Sequence, residues 1–177
     1  MYVNAKKMAL LGLLLAISVL LVILGGVIET STFFLMAAAA FCTGIAIREN
    51  NIRIGLAFYL ASVILCFLIA PNKLYCITYS VLGLYILISE FAFDRLSAAP
   101  AVRNRKKILW IIKYAAFNIM YIPMLVFFPK LFFAGEIKFW LLAGFWLAGQ
   151  VLLFVYDSAY RYFQNNIWEK TRKKLRL

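Results

Sequence analysis

Asn118 and Gln150 stand near the middle of two apolar stretches of the sequence, at matching distances from their ends. Each amide offers both a donor and an acceptor, which suits an uncharged ligand. In lipid such groups are costly, so they mark either a hydrogen bond between helices or a binding site. Tyr121, Trp140 and Trp146 belong to the same two stretches. They could line a pocket by stacking, although an interfacial aromatic belt accounts for Trp140 equally well. A second polar group lies at the helix ends expected to face outward: Glu29, Thr30, Ser31 and Thr32, with Asn72, Tyr75 and Tyr79 across the outer side. These residues could cap a cavity open to the exterior, or simply form a solvated loop meeting headgroups. Glu29, Thr30, Asn72, Tyr75, Tyr79, Asn118, Tyr121, Trp146 and Gln150 are therefore the candidate substrate-binding residues.

The ionisable residues point to structure before chemistry. Glu90 and Lys113 fall near the inner ends of neighbouring stretches, where an ion pair would ease the cost of charge in lipid. Asp157 and Arg161 are spaced i,i+4 and can pair along one helix. A proton relay is the functional alternative for these groups. There is no histidine, which removes the commonest metal ligand and general base. Cys42, Cys66 and Cys76 are scattered and read as small buried hydrophobes rather than as a metal or redox site. Gly144 and Gly149 have the first spacing of a phosphate-binding loop, but Gln150 stands where lysine is required. Only two aspartates are present, Asp94 and Asp157, and they are far apart in sequence. We therefore expect no enzyme activity, no cofactor and no metal.

These residues must be positioned by helices in a membrane. Hydrophobic residues make up 66% of the 177, and 15% are charged, more apolar surface than a soluble fold of this size can hide. The length suits one helical bundle and no second domain. A span needs about 20 apolar residues, and six candidates occur at roughly 8–28, 30–47, 54–70, 74–93, 108–128 and 139–160. The runs are continuous rather than alternating, so the expectation is an all-α bundle and not a barrel. The run at 8–28 is too long for a cleavable signal, and no small-residue cleavage site follows it.

The 19 Lys and Arg orient the spans. With the N-terminus inside, 16 fall on inner segments and three, Lys73, Lys130 and Lys138, on outer ones. That asymmetry predicts a multi-pass protein of the cell membrane with both termini cytoplasmic. It also accounts for the net charge of +12 without nucleic acid, since no stacking platform accompanies the basic residues. The inner linker at 94–107 separates four spans from two. The basic tail at 161–177 carries Tyr162, Phe163, Ile167 and Trp168 and suits a helix lying on an anionic inner leaflet.

Small residues recur on single helix faces. Ala5, Ala9, Gly12 and Ala16 share one face of the first span; Ala37, Ala40 and Gly44 share one on the second; Gly144 and Ala148 make a shorter one on the sixth. Such faces let another helix approach closely, either from within the bundle or from a different membrane subunit.

Six spans with both ends inside, the basic lead into Ala9-Leu-Leu-Gly12-Leu-Leu-Leu-Ala16, and the Ala- and Gly-rich second span at 34–44 together resemble the S-components of energy-coupling-factor transporters. The first helix of that family carries an Ala-x-x-x-Ala docking signature. Here Ala5-Lys-Lys-Met-Ala9 matches by letter and Gly12-Leu-Leu-Leu-Ala16 by size. The resemblance implies a subunit that binds a vitamin or similar micronutrient at its outer side. It implies docking through Ala5, Ala9, Gly12 and Ala16 to a transmembrane coupling subunit, with ATPases on other chains driving uptake. The competing expectation is a non-transporting scaffold similar to the rod-shape membrane protein MreD, which the greasy fifth and sixth spans favour.

Overall fold

The computed structural model describes residues 5–98, 104–127 and 139–175. The connection at 129–138, Arg103 in the inner linker, and the last two residues of the tail lie outside the described residues. The described residues form helices and short turns, with no strand. In chain order these are α1 (Ala5–Val27), α2 (Thr32–Glu49), α3 (Ile52–Ile69), α4 (Lys73–Ala98), α5 (Arg105–Phe127) and α6 (Phe139–Tyr162). A π-helical segment, Phe163–Trp168, then leads into the short α7 (Glu169–Leu175). Five helices are long and apolar enough to cross a membrane: α1 to α4, and α6 with its extension. The all-α character expected from the apolar runs is what the described residues display, and the length and composition of these five helices suit a membrane-embedded protein.

The helices run past the apolar stretches that predict them. α4 continues to Ala98 rather than stopping near Phe93, and α5 begins at Arg105 rather than Ile108. Polar residues outside the hydrocarbon satisfy their helical backbone just as apolar ones do, so hydropathy marks the membrane boundary and not the helix end. Sharp stops occur where local chemistry imposes them. The Asn51 side chain caps α3 by accepting from the Ile54 N–H at 3.0 Å. Asn72 accepts from the Leu74 N–H at 3.0 Å just after Pro71.

α2 is the central element. Its Met36, Ala37, Ala39, Ala40, Ile45 and Ala46 are all buried. α1, α3 and α4 surround it, and α6 lies against its second half. The small residues of α2 are what permit this crowding. Gly44 meets the Tyr160 ring of α6 where any Cβ would overlap the phenol. Phe41, one turn earlier, packs among Tyr156, Tyr160 and Phe163 with ring centroids 5.3–5.6 Å apart. Without a hydrophobic force between helices in lipid, such close packing is the main source of apolar association.

The small face of α1 behaves differently. Ala5, Ala9, Gly12 and Ala16 are exposed or nearly so, and a Cβ added at Gly12 would meet nothing. Contact within the chain's own bundle, one of the two expectations for this face, is not what these residues make. The opposite face of α1, through Leu10 and Leu14, enters the core. Gly144 and Ala148 on α6 are likewise exposed.

Two glycine substitutions separate these situations. Gly44→Leu is expected to destabilise the protein by about 3 kcal/mol or more through overpacking against Tyr160. Gly144→Leu, with open space around it, should stay within roughly 0.5 kcal/mol. Thermal unfolding of the purified variants in detergent measures both; equal midpoints would show that α6 does not pack on α2 at Gly44.

Candidate functional site

The polar side chains collect into two sites at different levels of the bundle. The first joins α5 to α6. Asn118 Oδ1 accepts from Gln150 Nε2 at 2.9 Å and from Trp146 Nε1 at 3.0 Å. Asn118 Nδ2 donates to the Tyr114 carbonyl at 2.8 Å and lies 3.4 Å from Gln150 Oε1. Tyr121 donates to the Phe145 carbonyl at 2.9 Å. The Tyr121 ring lies against the α6 backbone at Gly149, where a side chain would occupy the same space. Asn118, Tyr121, Trp146 and Gln150 thus come together as the matching depths predict. Their donors and acceptors are turned toward one another, which is the helix-to-helix reading of the amide pair. Beside them an open, apolar cleft of about 380 Å³ is lined by Trp140, Gly144, Phe145 and Ala148.

The remaining candidates sit elsewhere. Tyr79 is fully buried and donates to Ser62 Oγ at 2.7 Å between α3 and α4. Tyr75 is half-buried and lies beside Gly26 of α1. Asn72 serves as the α4 cap, and Thr30 is exposed in the turn Glu29–Ser31. The side chain of Glu29 lies outside those described. The structure therefore separates the candidate residues into an α5–α6 group and a group around the α1, α3 and α4 ends.

The second polar site is the larger, and it holds charge. It lies at the end of the bundle that carries Ala5 and the tail. Arg48 of α2 donates to Glu90 of α4 from Nε at 3.1 Å and Nη2 at 2.7 Å. Tyr160 of α6 donates to the same carboxylate at 2.7 Å, and the Arg48 guanidinium lies 5.7 Å from the Tyr160 ring centre. Gln164, one turn on, donates to the Tyr160 hydroxyl at 3.2 Å. The sequence suggests a Glu90–Lys113 pair, but Glu90 is paired with Arg48, because α2 and not α5 presents the cation to it. Lys113 of α5 instead donates to Asp157 of α6, where Tyr85 of α4 also donates at 3.1 Å. Arg161 approaches the other Asp157 oxygen at 3.0 Å, the i,i+4 spacing noted above. Lys113 is 5% exposed and Asp157 is fully buried, so this pair is desolvated.

A third carboxylate ties down the tail. Glu49 at the end of α2 accepts from Trp168 Nε1 at 2.9 Å and pairs with Arg172 at 3.2 Å. Lys7 of α1 donates to the Glu49 carbonyl. Trp168 is buried with Leu10, Leu14, Cys42, Ile45, Ala46 and Phe58. The tail thus continues α6 and packs back on α1 and α2 through Trp168 and Arg172. The π-helical segment at Phe163–Trp168 accompanies this return, and such insertions re-aim the residues that follow. The spacing Tyr160, Gln164, Trp168, Arg172 is a single i,i+4 stripe, and it was the available signal for this contact.

All three cysteines are buried and unpaired by disulfide, and no group of three or more metal-ligating side chains occurs among the described residues. No protein-family model, curated protein or solved structure matches the chain.

The chemistry this arrangement performs is electrostatic. Each buried carboxylate is met by a cation and a hydroxyl or indole donor from a different helix. Removing one partner should therefore cost more than removing both. Asp157→Asn is expected to destabilise the protein by about 3–5 kcal/mol by stranding the Lys113 ammonium. The double variant Asp157→Leu with Lys113→Met should recover most of that loss. Unfolding midpoints of the singles and the double give the comparison; a double variant as weak as Asp157→Asn would remove the charge-pair account.

Proposed function

We propose that the chain is a substrate-binding subunit of a micronutrient uptake system, embedded in the cell membrane by six spans with both termini cytoplasmic. In this reading α5 is also a span and brings the number from five to six. It is as long as α1 and places Lys113 and Asn118 toward α6 rather than toward lipid. The transmembrane coupling subunit and the ATPases are separate chains.

The single observation that carries the proposal is the outward small-residue face of α1. Ala5, Ala9, Gly12 and Ala16 form a smooth track on a helix whose opposite face is packed in the core. A helix of another subunit could approach this track at backbone distance, and lipid gains nothing comparable from it. The basic residues reinforce the orientation. Arg48, Arg105, Lys106, Lys107, Arg161, Arg172 and Lys173 all belong to the end of the bundle that holds Ala5 and α7. That is the distribution a cytoplasmic end carries.

A non-transporting scaffold is favoured by a different observation. The amides of Asn118 and Gln150 and the indole of Trp146 bond to one another instead of converging on a free space. A ligand at this position must replace those bonds, which costs affinity unless it reproduces them. The scaffold uses the same α1 face but binds no solute.

Two measurements test the pair of readings. Gly12→Leu with Ala16→Leu should abolish co-purification of a membrane partner. The fold should be kept to within roughly 0.5 kcal/mol, because both positions are exposed. Undiminished co-purification would exclude α1 as the docking face. A thermal-stability screen against a vitamin panel then separates transport from scaffolding. A specific ligand at 100 times its Kd raises stability by about 2.7 kcal/mol, and a scaffold shows no shift with any compound.

A further inference from the structure

The charge around Asp157 does not balance. One carboxylate faces two cations, Lys113 and Arg161, both within ion-pair distance. Lys113 is buried, so the surplus positive charge is presented by Arg161, whose side chain is 44% exposed. The guanidinium lies over the Trp110 ring of α5, 5.1 Å from its centre, and the Lys113 ammonium approaches the same ring at 5.7 Å. Trp110 is stacked on Phe154 of α6, with centroids 5.8 Å apart and planes 19° from parallel. Phe154, Val155 and Ile111 around it are exposed apolar side chains. Lys106 and Lys107, one turn before Trp110, are exposed as well.

This α5–α6 surface therefore sets cationic side chains beside an apolar, aromatic wall. It sits where the apolar stretch of α6 ends and that of α5 begins. We propose that the α5–α6 surface at Arg161, Lys106, Lys107 and Trp110 is a binding site for an anionic phospholipid of the adjacent leaflet. The lipid phosphate meets Arg161 and the two lysines, and an acyl chain runs along Trp110, Phe154 and Ile111. Arg48 spends its charge on Glu90 and Arg172 on Glu49, one cation to each of those carboxylates, whereas Asp157 faces two. A surplus cation at the lipid boundary needs an anion to offset its partial desolvation. Basic pockets between helices at a membrane surface bind acidic headgroups on this principle. The inference depends on the membrane embedding and not on the transport or scaffold reading.

The test uses the full-length protein purified in neutral detergent. Phosphatidylglycerol is titrated and bound lipid is counted by native mass spectrometry, with phosphatidylcholine of the same acyl chains as reference. The wild-type protein is expected to bind one phosphatidylglycerol at least tenfold more tightly than phosphatidylcholine. Arg161→Gln should reduce that preference to about twofold or less. Lys106→Gln with Lys107→Gln leaves the Asp157 pairs untouched and should lower it about threefold, so a folding defect at Arg161 does not decide the matter. Lys173→Gln, on the tail, should leave it unchanged. Equal binding of the two lipids by the wild type, or an unaltered preference in both the Arg161 and lysine variants, would overturn the site. So would inorganic phosphate competing at low millimolar concentration, which would assign these cations to a soluble anion.

Discussion

A carboxylate taken out of water must be met by a cation and further donors, and in this bundle that requirement joins helices that apolar packing alone would leave free to slide. In lipid, leucine against leucine is no better than leucine against an acyl chain. The exposed sides of α1, α3 and α6 are of that kind, with Leu13, Leu68 and Val151 facing outward. Glu49, Glu90 and Asp157 are not interchangeable in this way. Each accepts from groups on two other elements: Glu90 from α2 and α6, Asp157 from α4 and α5, Glu49 from the π-helical segment and α7. A slip of one turn between α4 and α6 would break the Tyr160 and Tyr85 bonds together. The charged layer therefore sets the register of the second half of the chain against the first.

The small residues of α2 make that layer geometrically possible. Gly44 lets the Tyr160 phenol reach past α2 to Glu90, and the alanines of α2 keep α1 and α4 close. Gly149 plays the equivalent part in the α5–α6 pair, where Tyr121 lies across the helix backbone. In both places a tyrosine crosses a glycine to find an acceptor on or beyond the other helix. The ring supplies packing area and the hydroxyl supplies the directional bond, a division of labour suited to an apolar surrounding.

How much of this was legible in the sequence follows from what each signal encodes. Hydropathy reports depth, so the helices, their apolar lengths and the shared level of Asn118 and Gln150 could be read directly. The i,i+4 spacing of Asp157 and Arg161 is local and was equally open to reading. Azimuth is not encoded in the same way. Arg48 and Lys113 both lie near the same end of the bundle as Glu90, and nothing in the sequence separates the helix that faces Glu90 from the one that does not. The small face of α1 illustrates the same gap, since its spacing defines a stripe but not whether the stripe looks inward. The packing of the tail was hidden for a different reason. Its Lys and Arg dominate the composition, while the residue that anchors it on α1 and α2 is the single Trp168 on the Tyr160 stripe.

The two faces of α1 connect these points. Its inward leucines, Leu10 and Leu14, pack with Trp168, which is held by Glu49 at the end of α2. The Ser18 hydroxyl turns back to the Leu14 carbonyl of its own helix and also meets the Cys42 thiol of α2, a contact between neutral groups. Other polar links from α1 to the bundle among the described residues are at its ends: Lys7 to the Glu49 carbonyl, and the Gly25 carbonyl accepting from Thr32 at 2.8 Å. Between them α1 is held chiefly by apolar contacts, which can shift without stranding a charge. α4, α5 and α6 lack that freedom, because moving any one of them exposes or unpairs a buried carboxylate. α1 thus combines an exposed small-residue face with an attachment that strands no buried carboxylate, while the charged layer keeps α2, α4, α5 and α6 in register.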